Sequence, residues 1–369
     1  MQTTIPSSRQ TRSTKETNVV GLVFALLVLA ATLGVMWLGF IFLRDNTLPK
    51  WLNVLVAIVW GVGGAAAYFF VTNMLAEQLS DRWKQLIQPY LFIGPAMALL
   101  IWFLALPTLR TFYISLFDRN SENFVGFQNY IDVLSDRAML VTLRNNLLWI
   151  VFGASSAVIM GLIVAVLADR SNFENLAKAL IFLPMAISLV GAGVIWNFIY
   201  EVRAAGDSQI GLLNAIWTSL GFEPQAWTAF NRPWNNLFLI VIMVWLQTGF
   251  AMVLFSAAIK GIASELLEAA RVDGATEWEV FFRIMLPMIA STIITVTTTI
   301  VIFTLKIFDV VIVMTGGQYD TDVIATQFYN QYFINRNFGY GSTIAIILLI
   351  AVVPVMIYNL RQFNQRKAF

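Results

Sequence analysis

Eight stretches of this chain contain no Asp, Glu, Lys or Arg, and each is long enough to cross a bilayer as a helix. They run over 19–43, 51–76, 89–109, 145–168, 179–200, 233–259, 284–305 and 337–360. About 20 mostly apolar residues suffice to cross a hydrocarbon core ~30 Å thick. None shows the ~10-residue alternation of a membrane β-barrel. The first stretch is too long for a signal-peptide core, which runs about 7–15 residues, so it reads as an uncleaved helix. With 59% hydrophobic and only 12% charged residues, the chain cannot cover itself with a water-facing surface. The expectation is an all-α polytopic membrane protein.

An even number of spans puts both termini on one side. If that side is the cytoplasm, the inner segments hold 13 Lys/Arg in 73 residues and the outer segments 9 in 104. The positive-inside rule therefore favours both ends inside. The first two spans are closely spaced and end in a charged linker, Glu77 to Lys84. The expected organisation is a disordered cytoplasmic tail (1–18), two additional helices (19–76), a six-helix core (77–360) and a cytoplasmic tail (361–369). Ser, Thr and Gln dominate the first tail.

The chain has no cysteine and no histidine. That removes disulfides, thiolate and imidazole metal sites, and His-assisted Ser or Cys catalysis. No metal site and no catalytic residue is expected. A net charge of +2 gives no argument for nucleic acid. Nor does the chain carry a G-x-x-x-x-G-K-[ST] phosphate loop.

The longest inner connection, 260–287, is the most informative. Ser264 is a good N-cap residue, and Glu265 suits a helix N-terminus. Leu267 stands where a capping box would need Glu or Gln. Helix formers follow to Arg271, and Asp273-Gly274 should end the helix. A second short helix, about 277–284, leads to Pro287 and the next span. On pattern alone this is an amphipathic helix–turn–helix at a membrane surface, and an ordinary connector would look the same.

The spacing within it is more specific. Glu268-Ala269-Ala270, then Gly274, Ile284 and Leu286-Pro287 fill every defined position of the EAA loop of ABC-importer permeases. Phe124-Val-Gly-Phe-Gln-Asn-Tyr130 resembles the F-V-G-x-x-N-Y segment of that family. Phe308-Asp309 and Met314-Thr-Gly-Gly317 resemble its F-D…T-G-G-G-P stretch, with Gln318 and Tyr319 replacing the last Gly and Pro. Asn337-Phe-Gly-Tyr-Gly-Ser342 resembles the opening of its last helix. The resemblance covers about 89–360 and is strongest to maltose- and α-glucoside-type permeases, whose maltose-type subunit also has extra N-terminal helices.

That resemblance implies a six-helix type I permease core, a second permease subunit, two ATPase subunits and an extracytoplasmic solute-binding protein, assembled in the lipid of a bacterial or archaeal cytoplasmic membrane. ATP and Mg would sit on the ATPases, leaving this chain without a cofactor. Glu268, Ala269, Ala270, Asp273, Gly274, Ile284, Leu286 and Pro287 would couple to an ATPase. Sugar-path positions carry over to Met185, Leu189, Trp245, Leu246, Gln247, Phe250 and Lys306. Read from the residues alone, Trp245, Gln247 and Phe250 equally suit helix packing, and Lys306 equally suits an ion pair with Asp309. Asn197 suits a bond to a neighbouring helix. The glycines at 61–64 and 191–193 suit close helix packing. The alternatives are a secondary transporter, which should carry carboxylates inside its spans, or an ABC permease for another solute such as glycerol phosphate or a polyamine.

Overall fold

The computed structural model describes residues 17–229 and 232–366, and among these the chain is helical, with one isolated bridge pairing Phe117 and Phe124. The expected disordered tail lies outside the described residues except for its last two positions. The chain divides into two compact units at Thr108/Leu109. The boundary falls within the third span rather than at residue 77, because the start of that span packs on the second.

In the first unit, α1 (Val19–Asp45) and α2 (Lys50–Glu77) form a hairpin. Asn18 caps α1 by accepting from the Gly21 amide, and its own amide reaches the Gln78 carbonyl at 3.0 Å. At the far end Asn46 donates to the Phe42 and Leu43 carbonyls and to Asn53. The hairpin is thus closed at both ends. The glycines at 61–64 do not all pack: a Cβ on Gly64 would touch Met36, whereas Gly61 and Gly63 face open space. The closest approach is at Gly39, whose missing Cβ leaves room for the Trp60 ring. α3 (Asp81–Ile114) starts against α2, where Phe92 stacks on Phe69. It includes a wide π-turn at Ile101–Ala105.

The second unit takes in the last turns of α3 and then the F-V-G-x-x-N-Y segment, whose residues have local structural work. Gly126 turns the chain at φ +61°. Asn129 then donates to the Ser115 and Phe117 carbonyls, and Tyr130 shares a bond with Ser115. α4 is Gln128–Ser135. Asp136 caps α5 (Arg137–Asp169), which crosses α9 (Asn235–Lys260) so closely that a Cβ on Gly161 would overlap Ala251. Trp149 from α5 and Leu239, Ile242, Met243, Met252 and Phe255 from α9 are fully buried at the centre of this unit.

The fifth apolar stretch is not one straight helix. α6 (Glu174–Ala186) and α7 (Leu189–Tyr200) meet at 102°. Pro184 lies in a 3-10 turn, Ile187 is extended, and Ser188 caps a new helix by accepting from the Gly191 amide. Among the described residues, seven helices are long and apolar enough to cross a membrane, and the bent pair makes an eighth span if counted as one. Gly193 packs directly on Val313.

A short helix, α8 (Leu212–Ser219), lies in the connection before α9. α10 (Ser264–Val272) follows it, then α11 (Glu277–Leu305), α12 (Asp309–Met314), α13 (Ile324–Tyr329) and α14 (Phe338–Arg366). The helical backbone of α14 continues to Arg366, beyond the end of the apolar stretch at 360. Its opening glycines are close-contact positions: Gly339 meets the Phe117 carbonyl and Gly341 the Tyr332 backbone.

Candidate coupling loop and solute path

The connection between α9 and α11 is a helix–turn–helix, but its caps differ from the sequence expectation. Ala263, not Ser264, occupies the N-cap of α10, and Ser264 is the first helical residue, with no side-chain cap. The other end is a Schellman turn. The Gly274 amide donates to the Arg271 carbonyl at 3.1 Å, and the Ala275 amide to the Ala270 carbonyl at 3.0 Å. Gly274 sits at φ +87°, and a Cβ there would meet nothing within 4 Å of this chain. The requirement for glycine at this position is therefore backbone conformation, not local crowding.

The expected short second helix is instead the first two turns of α11. Thr276 and Glu279 form a full capping box there: the Thr276 hydroxyl accepts from the Glu279 amide, and the Glu279 carboxylate accepts from the Thr276 amide at 3.0 Å. The sequence signal is the T-x-x-E at 276–279, directly after the Asp273-Gly274 turn. A π-turn at Val280–Met285 precedes Pro287. Proline has no amide to donate and crowds the carbonyl four residues back, so a widened turn just ahead of it keeps α11 continuous.

One side of this motif is seated. Ile262, Val280, Met285 and Ile289 are buried together, with Leu267, Ala270 and Ala275 packed on them. Leu267 and Ala270 lie three apart on α10 and share that face. Ile284 and Leu286 are half-buried and Pro287 is exposed. The opposite surface presents Glu268, Ala269, Asp273 and Gly274. Glu268 makes no ion pair among the described residues. Val272 is 87% exposed and Trp278 73%, the latter stacked on Phe282.

Ion pairs tie the seated motif to the connection between α5 and α6. Arg170 and Arg271 both bind Glu277, each at 2.7 Å. The paired Glu277 carboxylate holds the Arg271 guanidinium above its ordinary pKa. Beside them, Lys178 meets Asp169 at 2.5 Å and Glu174 at 2.6 Å, while Lys260 from the end of α9 also pairs with Glu174. Neither cluster stands out in the sequence, since each joins residues far apart in the chain.

The solute-path positions do not converge on one cavity within this chain. Met185 lies exposed in the 3-10 turn and Leu189 opens α7, so both sit at the break of the fifth span. Trp245 packs edge-on against Trp196, ring centroids 5.8 Å apart. Together with Met160, Leu180, Pro184 and Thr248 they line an apolar groove of about 440 Å³. The indole N–H of Trp196 is buried without a partner. Leu246 is in the core and Phe250 packs against it. Gln247 is two residues from Trp245, about 200° around the helix, so the two face different ways. Lys306 is exposed at the C-cap of α11, and no ion pair joins it to the half-buried Asp309. Asn197 makes its contact with the Val313 carbonyl at 3.5 Å.

Comparison with known proteins agrees with this architecture. Residues 138–368 match the model of the binding-protein-dependent transport system inner membrane component. The chain belongs to that family, the multi-pass permease subunits of ABC transporters. A Synechocystis protein named osmoprotective compounds uptake permease protein GgtC is 55% identical over 277 residues, covering 75% of this chain and 99% of that one. The alpha-glucoside transport system permease protein AglF of Rhizobium meliloti is 45% identical, covering 84% and 96%. A bacterial ABC transporter that imports alginate superposes with a TM-score of 0.66 at 20% identity, over 77% of this chain and 99% of that one, and so shares the fold.

Proposed function

We propose that this chain is one permease subunit of an ATP-driven, binding-protein-dependent importer of α-glucosides or other sugars. The observation that carries this reading is the motif at 264–287. It has one face seated on a buried cluster and the other presenting Glu268, Ala269, Asp273 and Gly274 outward. A rigid projection of this kind suits insertion into a cleft on an ATPase. The relatives named for osmoprotective compounds and for alpha-glucosides support the solute class.

In this reading the chain performs no catalysis and holds no cofactor; ATP and Mg sit on two ATPase subunits. It pairs with a second permease subunit. A solute-binding protein delivers the sugar from outside the cytoplasmic membrane, and both termini of the chain lie in the cytoplasm. ATP-driven closure of the ATPases pulls on α10 and reorients the path. Because α10 and α11 are tied through Arg170 and Glu277 to the stretch leading into α6, the same pull reaches the broken fifth span where Met185 and Leu189 sit.

The test is transport by the assembled importer. The permease, co-expressed with its neighbouring subunits and reconstituted, accumulates radiolabelled sucrose, trehalose or maltose only with ATP and the solute-binding protein. Uptake that needs no ATP but follows a proton gradient is the outcome for a secondary transporter. Uptake of glycerol phosphate or putrescine in place of sugar would move the chain to another solute class.

A further inference from the structure

A polar cleft of about 600 Å³ lies away from the coupling motif and from the Trp196–Trp245 groove. It lies between the first turns of α5 and the loop that joins α12 to α13. One wall is Arg137, Val141 and Arg144, spaced so that one face of α5 looks into it. The other wall is Gln318, Tyr319, Asp320 and Asp322, with Arg232 at the edge. A cleft of this size falls within the range of small-molecule sites, about 300–1,000 Å³.

The loop forming the second wall is held in a conformation that ordinary turns avoid. Gly316, Gly317, Tyr319 and Asp320 all have positive φ, between 60° and 80°. Three asparagines, each fully buried, stand beneath it. Asn145 donates to the Asp320 and Asp322 carbonyls at 2.6 and 2.8 Å, Asn235 to the Tyr319 carbonyl at 2.8 Å, and Asn236 to the Asp320 carbonyl at 3.4 Å. The Asn236 side-chain oxygen is left buried without a partner. Non-glycine residues in left-handed backbone persist only where the surroundings over-determine them, and such strain clusters at binding sites. Here it fixes the backbone carrying Gln318, Tyr319 and Asp320, three side chains that line the cleft.

The charges select the occupant. Arg232 is matched by Asp320 at 2.8 Å. Arg144 donates to Asn145 at 3.1 Å, and neither it nor Arg137 makes an ion pair among the described residues. Asp322 accepts from Thr326. With Asp320 matched by Arg232, a cation entering the cleft would meet Arg137 and Arg144, and an anion would still meet the Asp322 carboxylate. A neutral hydroxylated solute meets no such conflict, because each hydroxyl both accepts from a guanidinium or amide and donates to a carboxylate.

We infer that this cleft is a second solute-contact site, which takes a neutral polyhydroxylated molecule as it leaves the solute-binding protein and before it reaches the membrane-embedded path. The inference rests on the sugar-importer reading and on the outer placement of 110–144 and 307–336.

The absence of cysteine allows a direct test. Arg137→Cys and Gln318→Cys each place one thiol in the cleft, and Glu122→Cys places one on an exposed turn of the same side. Cells expressing the whole importer are treated with a membrane-impermeant thiol reagent. The protecting probe is whichever of trehalose, sucrose and maltose the wild type accumulates fastest. The expected result is at least threefold slower labelling at both cleft positions with the probe present, and no change at position 122. Arg144→Gln, read separately, raises the KM for uptake severalfold without changing the sugar affinity of the solute-binding protein. Unchanged labelling at both cleft positions in cells that do transport the probe overturns the inference and leaves the importer reading standing. Protection by sulfate but not by sugar overturns it in favour of an anion site. If none of the three sugars is accumulated, the reading beneath it falls and the inference falls with it.

Discussion

Arg170 and Glu277 lie 107 positions apart in the chain and meet at 2.7 Å, joining the end of α5 to the start of α11. Arg271 closes on the other carboxylate oxygen of Glu277, so one acidic side chain ties the turn of the 264–287 motif to the connection between α5 and α6. Both arginines and Glu277 are about half exposed. Exposed pairs contribute ~0–1 kcal/mol. The clamp therefore orients more than it stabilises. Glu277→Gln should shift the thermal midpoint of the purified complex by no more than a few degrees, while lowering the number of solute molecules moved per ATP. A large loss of stability with normal coupling would reverse that assignment.

The capping box sets the start of α11. Thr276→Ala removes an N-cap acceptor, a change that typically costs about 0.5–2 kcal/mol. Because Thr276 is exposed, no cavity term adds to this. Thermal unfolding of the purified complex followed by intrinsic fluorescence should show a modest destabilisation, partly recovered by Thr276→Ser. No difference between Ala and Ser would remove the hydroxyl from the account.

At Gly274 the backbone and the interface make separable demands. The φ of +87° disfavours any Cβ, by about 1–2 kcal/mol, but this chain leaves the space beside it open. Asn tolerates left-handed backbone better than most residues. Stability alone therefore ranks Gly above Asn and Asn above Val. Gly274→Asn should fold nearly as well as wild type, yet lose ATPase subunits on purification if the open space is filled by a partner. Full retention of ATPase by Gly274→Asn would mean that nothing packs there.

Membrane sidedness is accessible to the same cysteine chemistry. With both termini inside, a thiol at Glu122 should react with an impermeant reagent added to intact cells, and one at Ser264 should react only after permeabilisation. Labelling of both from outside would reject the proposed orientation.

Much of this architecture is legible in the sequence, because its largest signals are one-dimensional. Lengths of uncharged chain locate the helices, and Asp273-Gly274 locates the turn in the coupling motif. Gly339 and Asn129 belong to motifs whose purpose becomes evident once their contacts with the 115–117 carbonyls are seen. The break of the fifth span was hidden for a physical reason: an apolar run looks the same straight or bent, and the cap that restarts the helix is a single uncharged Ser188. Ser264 does not cap α10 because the chain enters the helix one residue before its best capping side chain. The solute-path positions were carried by resemblance, and helical geometry separates them: Trp245 reaches a groove that Gln247, two residues on, cannot face. The three asparagines beneath the 316–322 loop lie at 145, 235 and 236, and only the fold shows that they support it together.

The coupling role of the 264–287 motif is tested most directly by ATPase stoichiometry and sugar-stimulated ATP turnover in proteoliposomes bearing Glu268→Lys or Gly274→Asp. Both residues face outward from the seated motif, so the permease itself should remain folded and the solute-binding protein should still dock. The expected result is loss of ATPase subunits from the complex, or ATP turnover that no longer responds to sugar and solute-binding protein. Wild-type stoichiometry and wild-type stimulation in both variants would contradict it.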